Sequence, residues 1–262
     1  MQSMSENVIA LAKQLQAWQN GIQFERDFWE QFFVTRGLQW PDDFASRLRP
    51  DTEIGALLGD FAGNYTPRVL DVGSGPMTSL GKYHHGKPIK LIACDPLAPF
   101  YTDMASRHSI ERPIVTEQAF AEELTSFYDV DSFDVVHCSN ALDHSFDPVC
   151  GIEEMLLVVK PGCRVVLEHF VNEAEFGTYI GFHQWNFDEE AGDFIIWNKN
   201  CRINATQLFT HWAEITTTKV DRWISVAFVK RTTAPRTDIT ARTRQRVRDL
   251  MAAMLLAATT LI

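Results

Sequence analysis

The chain has no apolar run long enough to cross a bilayer, so no helical membrane span is expected. It has no internal repeat and no low-complexity linker, and one continuous core is expected. Positive charge is scarce: 24 Lys and Arg face 34 Asp and Glu, a formal charge of -10. Proteins that bind nucleic acid or anionic membranes gain affinity by neutralising phosphates, so neither partner is expected. The five cysteines are an odd number with no CxxC pair, which reads as reduced thiols in a cytoplasmic protein. No basic patch followed by an apolar run opens the sequence, so no secretory signal is expected, and the sequons at Asn64 and Asn204 carry no weight. There is also no HxH or HExxH pair, and no bound metal is expected from spacing.

What is present begins with 262 residues, 45% of them hydrophobic, enough for one large core. Residues 5 to 34 carry apolar positions at helical spacing, with a break expected at Asn20-Gly21 and a second helix rich in rings: Phe24, Phe28, Trp29, Phe32 and Phe33. Those rings either pack the helix onto the core or close over a ligand as a lid. Pro41 forces an extended or turn conformation at Trp40, and a short helix is expected at about Thr52 to Phe61. Strand and helix then alternate, with strands at Arg68 to Val72, Ile89 to Cys94, Ile114 to Val115, Phe133 to Cys138 and Arg164 to His169. A helix from about Pro148 to Val159 ends at Lys160-Pro161-Gly162, and residues 214 to 220 and 223 to 230 read as an antiparallel pair.

The first strand leads into RVLDVGSGPMTSLG (Arg68 to Gly81), where Gly73 and Gly75 let backbone approach a ligand. A dinucleotide fingerprint would need a third glycine in G-x-G-x-x-G, where this chain has Thr78. Asp71 sits two residues before the turn and could receive an ammonium group. Asp95 ends the second strand and could accept hydrogen bonds from two ribose hydroxyls, so a nucleoside joined to an amino acid satisfies both acids.

VLDVGSG, the acid of ACDP, FDVVHCSNALDHSFDP and VVKPGCRVVLEH stand in this order, and with them the chain resembles the class I S-adenosylmethionine-dependent methyltransferases over residues 67 to 230. The resemblance implies an α/β fold with a Rossmann-like, doubly wound sheet of seven strands, the last antiparallel. It implies S-adenosylmethionine as cofactor, with Asp71, Gly73, Ser74 and Gly75 at the methionine part, Asp95 and Pro96 at the ribose, Ala121 and Glu122 at the adenine, and Asn140 on the sulfonium side. Met77 departs from the family, standing where many members have a third glycine.

Methyl transfer needs an aligned acceptor and, for a hydroxyl, a proton acceptor. His144, which follows the fourth strand, and then His169, which ends the fifth, are the expected general bases, with Asp143 and Glu168 as orienting groups. His144, His169, His183, Asp143 and Glu168 could also gather around a divalent metal if residues 172 to 200 fold back over the cleft, although the spacing does not demand it. That segment, with a small β-hairpin turning at Ala191-Gly192, is expected to face substrate or to serve packing alone. Tyr179, His183 and Trp185 of this segment, with Phe28 of the aromatic N-terminal helix, are the expected contacts with a small-molecule or glycan acceptor.

The expected organisation is an N-terminal helical cap (1–66), a methyltransferase core (67–233) with the insertion at 172–200, and a C-terminal helix (234–262). That last helix would dock onto the body or onto a second copy in a homodimer, with peripheral membrane contact as the alternative. Methylation at oxygen is expected, against nitrogen or carbon of a small metabolite or peptide. A partner protein that binds the cofactor without turnover is the non-enzymatic alternative.

Overall fold

The computed structural model describes residues 2–59, 61 and 63–232, with side chains described at 13 and from 16 onward; the expected C-terminal helix lies outside the described residues. Six strands form the main sheet: β1 (Arg68–Val72), β4 (Lys90–Cys94), β5 (Phe133–Ser139), β6 (Val159–Phe170), β10 (Ala213–Val220) and β11 (Trp223–Lys230). Their order is β10-β11-β6-β5-β1-β4. β1 pairs in parallel with β4 and β5, β5 in parallel with β6, and β11 runs antiparallel to both neighbours. The chain therefore passes from β1 to β4 on one side and returns to β5 on the other. A crevice opens at the carboxyl ends of the strands where the winding reverses.

The alternation of side chains along the strands builds two apolar layers. Val69, Leu91 and Val135 face one way and pack with Ile54 and Leu58. Leu70, Val72, Val136 and Cys138 face the other, against Ile152 and Met155 of the helix α4 (Pro148–Val158). α4 starts where expected because Pro148 occupies its first turn and the Asp147 side chain accepts from the Cys150 N–H at 3.0 Å.

Five expectations change. The sheet has six strands among the described residues, not seven, because Ile114–Val115 makes no strand; only a bridge joins Glu117 to Cys94. No helix connects β1 to β4. The link is irregular and carries the hairpin β2 (Tyr83–His84) and β3 (Lys87–Pro88), while Met77 sits buried among Phe32, Phe33 and Phe44. The N-terminal helix α1 (Gln2–Thr35) does not break at Asn20-Gly21. A Cβ on Gly21 would lie 2.1 Å from the Phe182 ring, so this glycine serves a close approach and not a bend. The helix expected at 52–61 is a single 3-10 turn, Gly55–Leu57, and an α-helix, α2 (Pro41–Leu48), forms ahead of it with Pro41 in its first turn.

β6 also starts earlier than expected, because Lys160-Pro161-Gly162 belongs to the strand as a bulge: its register to β5 slips between the Phe133–Val159 and Val135–Arg164 pairs. After α3 (Ala98–Arg107) and α5 (Glu173–Phe176), β7 (Asn186–Glu190), β8 (Asp193–Trp197) and β9 (Arg202–Asn204) form a second antiparallel sheet, and Ala191 and Gly192 turn the β7–β8 pair. Phe187, Phe194 and Ile196 bury this sheet against Val226 and Phe228, together with Phe209 of α6 (Ala205–Phe209). The β7–β8 part of the 172–200 segment is thereby committed to packing.

Candidate functional site

β1 ends in a turn that only glycine accommodates at two places. Gly73 has φ +71°, and a Cβ on it would lie 2.3 Å from that of Ala141; Gly75 has φ +62°, and a Cβ there would lie 2.6 Å from the Trp29 ring. The turn is held by Gly73 and Ser74 N–H groups donating to Cys94 O, and by Thr116 Oγ1 donating to Gly75 O. Ser74 is buried beside Thr116.

Asp71 and Asp95 flank this turn, one at each strand end. Asp95 is buried, accepts from the N–H groups of Gly75 (3.2 Å) and Leu97 (2.8 Å), and burial pushes its carboxyl up to about 7. Asp71 accepts from Thr78 Oγ1 at 2.6 Å through one oxygen and faces His137 Nδ1 at 2.9 Å through the other. His137 is paired with Asp71 in strand register and meets Glu168 Oε2 at 3.2 Å through Nε2. A neutral ring has one N–H and could serve only one of these carboxylates. Burial would lower the ring's pKa, but the hydrogen bonds to Asp71 and Glu168 raise it to about 9, so at neutral pH an imidazolium lies between two carboxylates.

A cavity of about 460 Å³ opens beside the turn, lined by Asp71, Gly73, Ser74, Gly75, Asp95, Asn140, His144, His183 and Phe28 among others. A smaller one of about 60 Å³ continues past Pro96, Ala121 and Glu122; Gly73, Asp95 and His144 border both. The rings of α1 wall these spaces: Trp29 covers the Gly75 turn, and Trp18 stacks on Phe182 with centroids 5.5 Å apart. Glu122 is buried and accepts from the Phe146 (3.0 Å) and Asp147 (3.2 Å) N–H groups, and burial moves its carboxyl up to about 7. Asn140, with φ +45°, donates its N–H to Glu168 O and accepts from the Phe170 N–H.

The cavity wall opposite the turn carries a cluster. Asp143 Oδ2 lies 2.7 Å from His183 Nδ1 and 3.6 Å from His144 Nε2, and the two ring nitrogens are 3.2 Å apart. Two loops are tied together here, by Gln184 N–H to Asp143 O at 3.2 Å and Trp185 Nε1 to Ser145 O at 3.0 Å. Asp143 is buried, which opposes ionisation, yet His144 and the hydrogen bond from His183 hold its carboxyl down at about 2. Burial lowers the His183 pKa, and the Asp143 hydrogen bond more than offsets it, a net rise.

Three expected site residues lie elsewhere. His169 is 1% exposed, on the face of β6 opposite Glu168, with its ring centroid 4.6 Å from that of Phe187. Among the described residues neither of its ring nitrogens has a hydrogen-bond partner, and burial holds its pKa down at about 4. It borders neither cavity. Trp185 is buried in the core, and Tyr179 lies outside both cavities, its hydroxyl donating to Glu175 at 3.2 Å and receiving from Asn186. Sequence reasoning missed His137, whose signal is its position opposite Asp71 on a neighbouring strand.

Residues 101–224, just under half of the chain, match a family model described as a methyltransferase domain. Among solved structures, the chain is similar to the CurJ carbon methyltransferase at 14% identity, over 67% of this chain and 51% of that one, with a TM-score of 0.48. It is similar to an O-methyltransferase family protein from Burkholderia thailandensis at 12%, over 80% and 60%, with a TM-score of 0.48. A third is the Haloferax volcanii complex of the Trm112 methyltransferase activator and a methyltransferase, at 16%, over 80% and 98%, with a TM-score of 0.44. The chain thus spans about half the length of the first of these. Comparison with curated proteins gave no match. The matched residues 101–224 lie within the stretch, 67 to 230, over which the sequence resembles the class I methyltransferases.

Proposed function

We propose, on the premise that residues 101–224 match a methyltransferase domain, that this protein transfers the methyl group of S-adenosylmethionine to oxygen of a small-molecule or sugar-containing acceptor. The observation that carries the reading is the pair of buried acids, Asp71 and Asp95, at the ends of adjacent strands around a turn whose glycines leave space no Cβ could share. Residues and cofactor fit: Asp71 would take the ammonium through lone pairs that Thr78 and His137 leave over, and Asp95 the ribose hydroxyls. Pro96, Ala121 and Glu122 border the space for the adenine, and Asn140 the sulfonium side. The cofactor supplies a methyl group already activated for in-line displacement.

The protein's own task is then to align the acceptor hydroxyl and remove its proton. His144 borders the cavity as the sequence reading requires, but His183 is the better placed base. Asp143 accepts its Nδ1–H, fixing the tautomer that leaves Nε2 free to take a proton, and His144 adjoins this pair. A buried Asp143, ionised throughout the neutral range, then stabilises the imidazolium that forms.

Calorimetry tests the cofactor site: Asp95→Ala should weaken S-adenosylmethionine binding by at least about tenfold, the loss of two hydrogen bonds to a buried carboxylate. Unchanged affinity would remove Asp95 from the ribose. For the base, His183→Ala should lower kcat by about 100-fold with the cofactor's Kd unaltered. The acceptor is sought by labelling a native extract with a radioactive methyl group and identifying the product by mass spectrometry.

A further inference from the structure

Asp143, His144 and His183 bring three donor atoms to one place on the cavity wall, with edges of 2.7, 3.2 and 3.6 Å. Donors held about 2.1 Å from a cation lie about 3.0 Å apart in an octahedral site and about 3.4 Å apart in a tetrahedral one. The three edges span that range. A hydrogen bond accounts for the edge between Asp143 and His183, because an Nδ1–H donates to the carboxylate. His144 Nε2 meets the same Nδ1 at 3.2 Å, and the described residues offer its ring no other hydrogen bond. In the tautomer that carries its proton on Nε2, His183 Nδ1 joins His144 Nε2 and the Asp143 oxygen in aiming lone pairs at one point, as a cation requires.

We infer that Asp143 Oδ2, His144 Nε2 and His183 Nδ1 form a binding site for a divalent transition-metal cation of the zinc and cobalt class. Two imidazoles among three donors disfavour magnesium and calcium, which take oxygen ligands. The site is built before any ion arrives. Asp143 and His144 lie in one 3-10 turn, Leu142–His144, fastened by Ser145 Oγ donating to Leu142 O at 2.6 Å, and the Gln184 N–H to Asp143 O bond fixes the loop that carries His183. All three side chains border the cavity, so the open coordination positions face the space assigned to the acceptor. Buried His169, with two unpartnered ring nitrogens, lies outside the three-donor group and is not a ligand.

Occupancy has a consequence that rests on the function proposed above. A cation takes the lone pair of His183 Nδ1, so the one proton of the neutral ring sits on Nε2. His183 then has no free Nε2 lone pair to take the acceptor's proton. Cation and acceptor proton compete, and the metal-loaded protein should turn over more slowly.

The test uses the full chain, stripped with a chelator and titrated with Co²⁺. Visible d–d absorption should saturate at one ion per chain, and His144→Ala and His183→Ala should each weaken binding by at least about tenfold. Both rings lie at the cavity edge, and thermal melts of the two variants establish that they fold. Absence of a saturable signal, or equal affinity in wild type and both folded variants, overturns the site. Turnover is read separately with Zn²⁺: slower methyl transfer restored by chelator upholds both inferences. Transfer that is faster with the ion upholds the site and overturns the histidine base.

Discussion

At the scale of single residues, the carboxylate–imidazolium–carboxylate row of Asp71, His137 and Glu168 stabilises the floor of the cleft. The His137 pKa is raised to about 9 in the folded chain against an ordinary 6.5. The folded state therefore holds a proton that the unfolded state gives up earlier. This contribution is complete below about pH 6.5 and is lost as pH rises through about 9. His137→Asn should cost about 3 kcal/mol in urea unfolding at pH 7, since it leaves two carboxylates without their shared cation. The gap between wild type and variant should shrink steadily between pH 7 and 10. Asp95 gives the opposite dependence for a ligand. Its carboxyl, pushed up to about 7 by burial, accepts two hydroxyls best once ionised. Cofactor affinity should thus rise between about pH 6 and 8, and Asp95→Asn should flatten the profile.

At the scale of elements, the second sheet is a structural support: its strands pack on the core and none of their residues borders either cavity. Phe187 of β7 is 1% exposed, packed between His169 and Phe194 with centroids 4.6 and 5.6 Å away. Phe187→Ala should destabilise the protein by about 4 kcal/mol in urea unfolding. It should also lower kcat, because the loop carrying His183 leads directly into β7. α1 plays the complementary part on the other side. Trp29 lies over Gly75, its Nε1 donating to Glu25 at 2.7 Å, within a group of rings that includes Phe28, Phe32 and Tyr101. With no helix between β1 and β4, this N-terminal element walls the glycine turn.

At the scale of the whole molecule, the charge of -10 bears on the partner. A small neutral acceptor makes turnover nearly independent of salt, whereas a nucleic-acid acceptor would lose affinity by orders of magnitude over the same range. Raising salt from about 50 to 300 mM should change kcat/KM less than about threefold, and nuclease treatment of the extract should leave the labelled product intact. Among the described residues no helix is long and apolar enough to cross a membrane.

Local chemistry made much of this legible in the sequence. Asp71, Gly73, Gly75 and Asp95 stand where a strand meets its turn, and their identities alone require that geometry. α4 and the β10–β11 pair announce themselves by a proline-started helix and two closely spaced strands. What the sequence left open depends on contacts across the fold. Gly21 reads as a helix breaker until Phe182 is seen packed upon it. Lys160-Pro161-Gly162 reads as a turn until β5 supplies a partner for a bulge. His144 and His169 both read as candidate bases because one follows a strand and the other ends one. Period-two alternation then turns Glu168 to the cleft side, toward His137, and buries His169 on the opposite face. His137 and His183 acquired their meaning only from strand register and from a loop that returns some forty residues later to Asp143. Thus the sequence by itself determined the strand-end acids and the glycine turn, which are properties of neighbouring residues. Tertiary structure alone decided which histidines meet a carboxylate, because that is set by register and loop return over long separations.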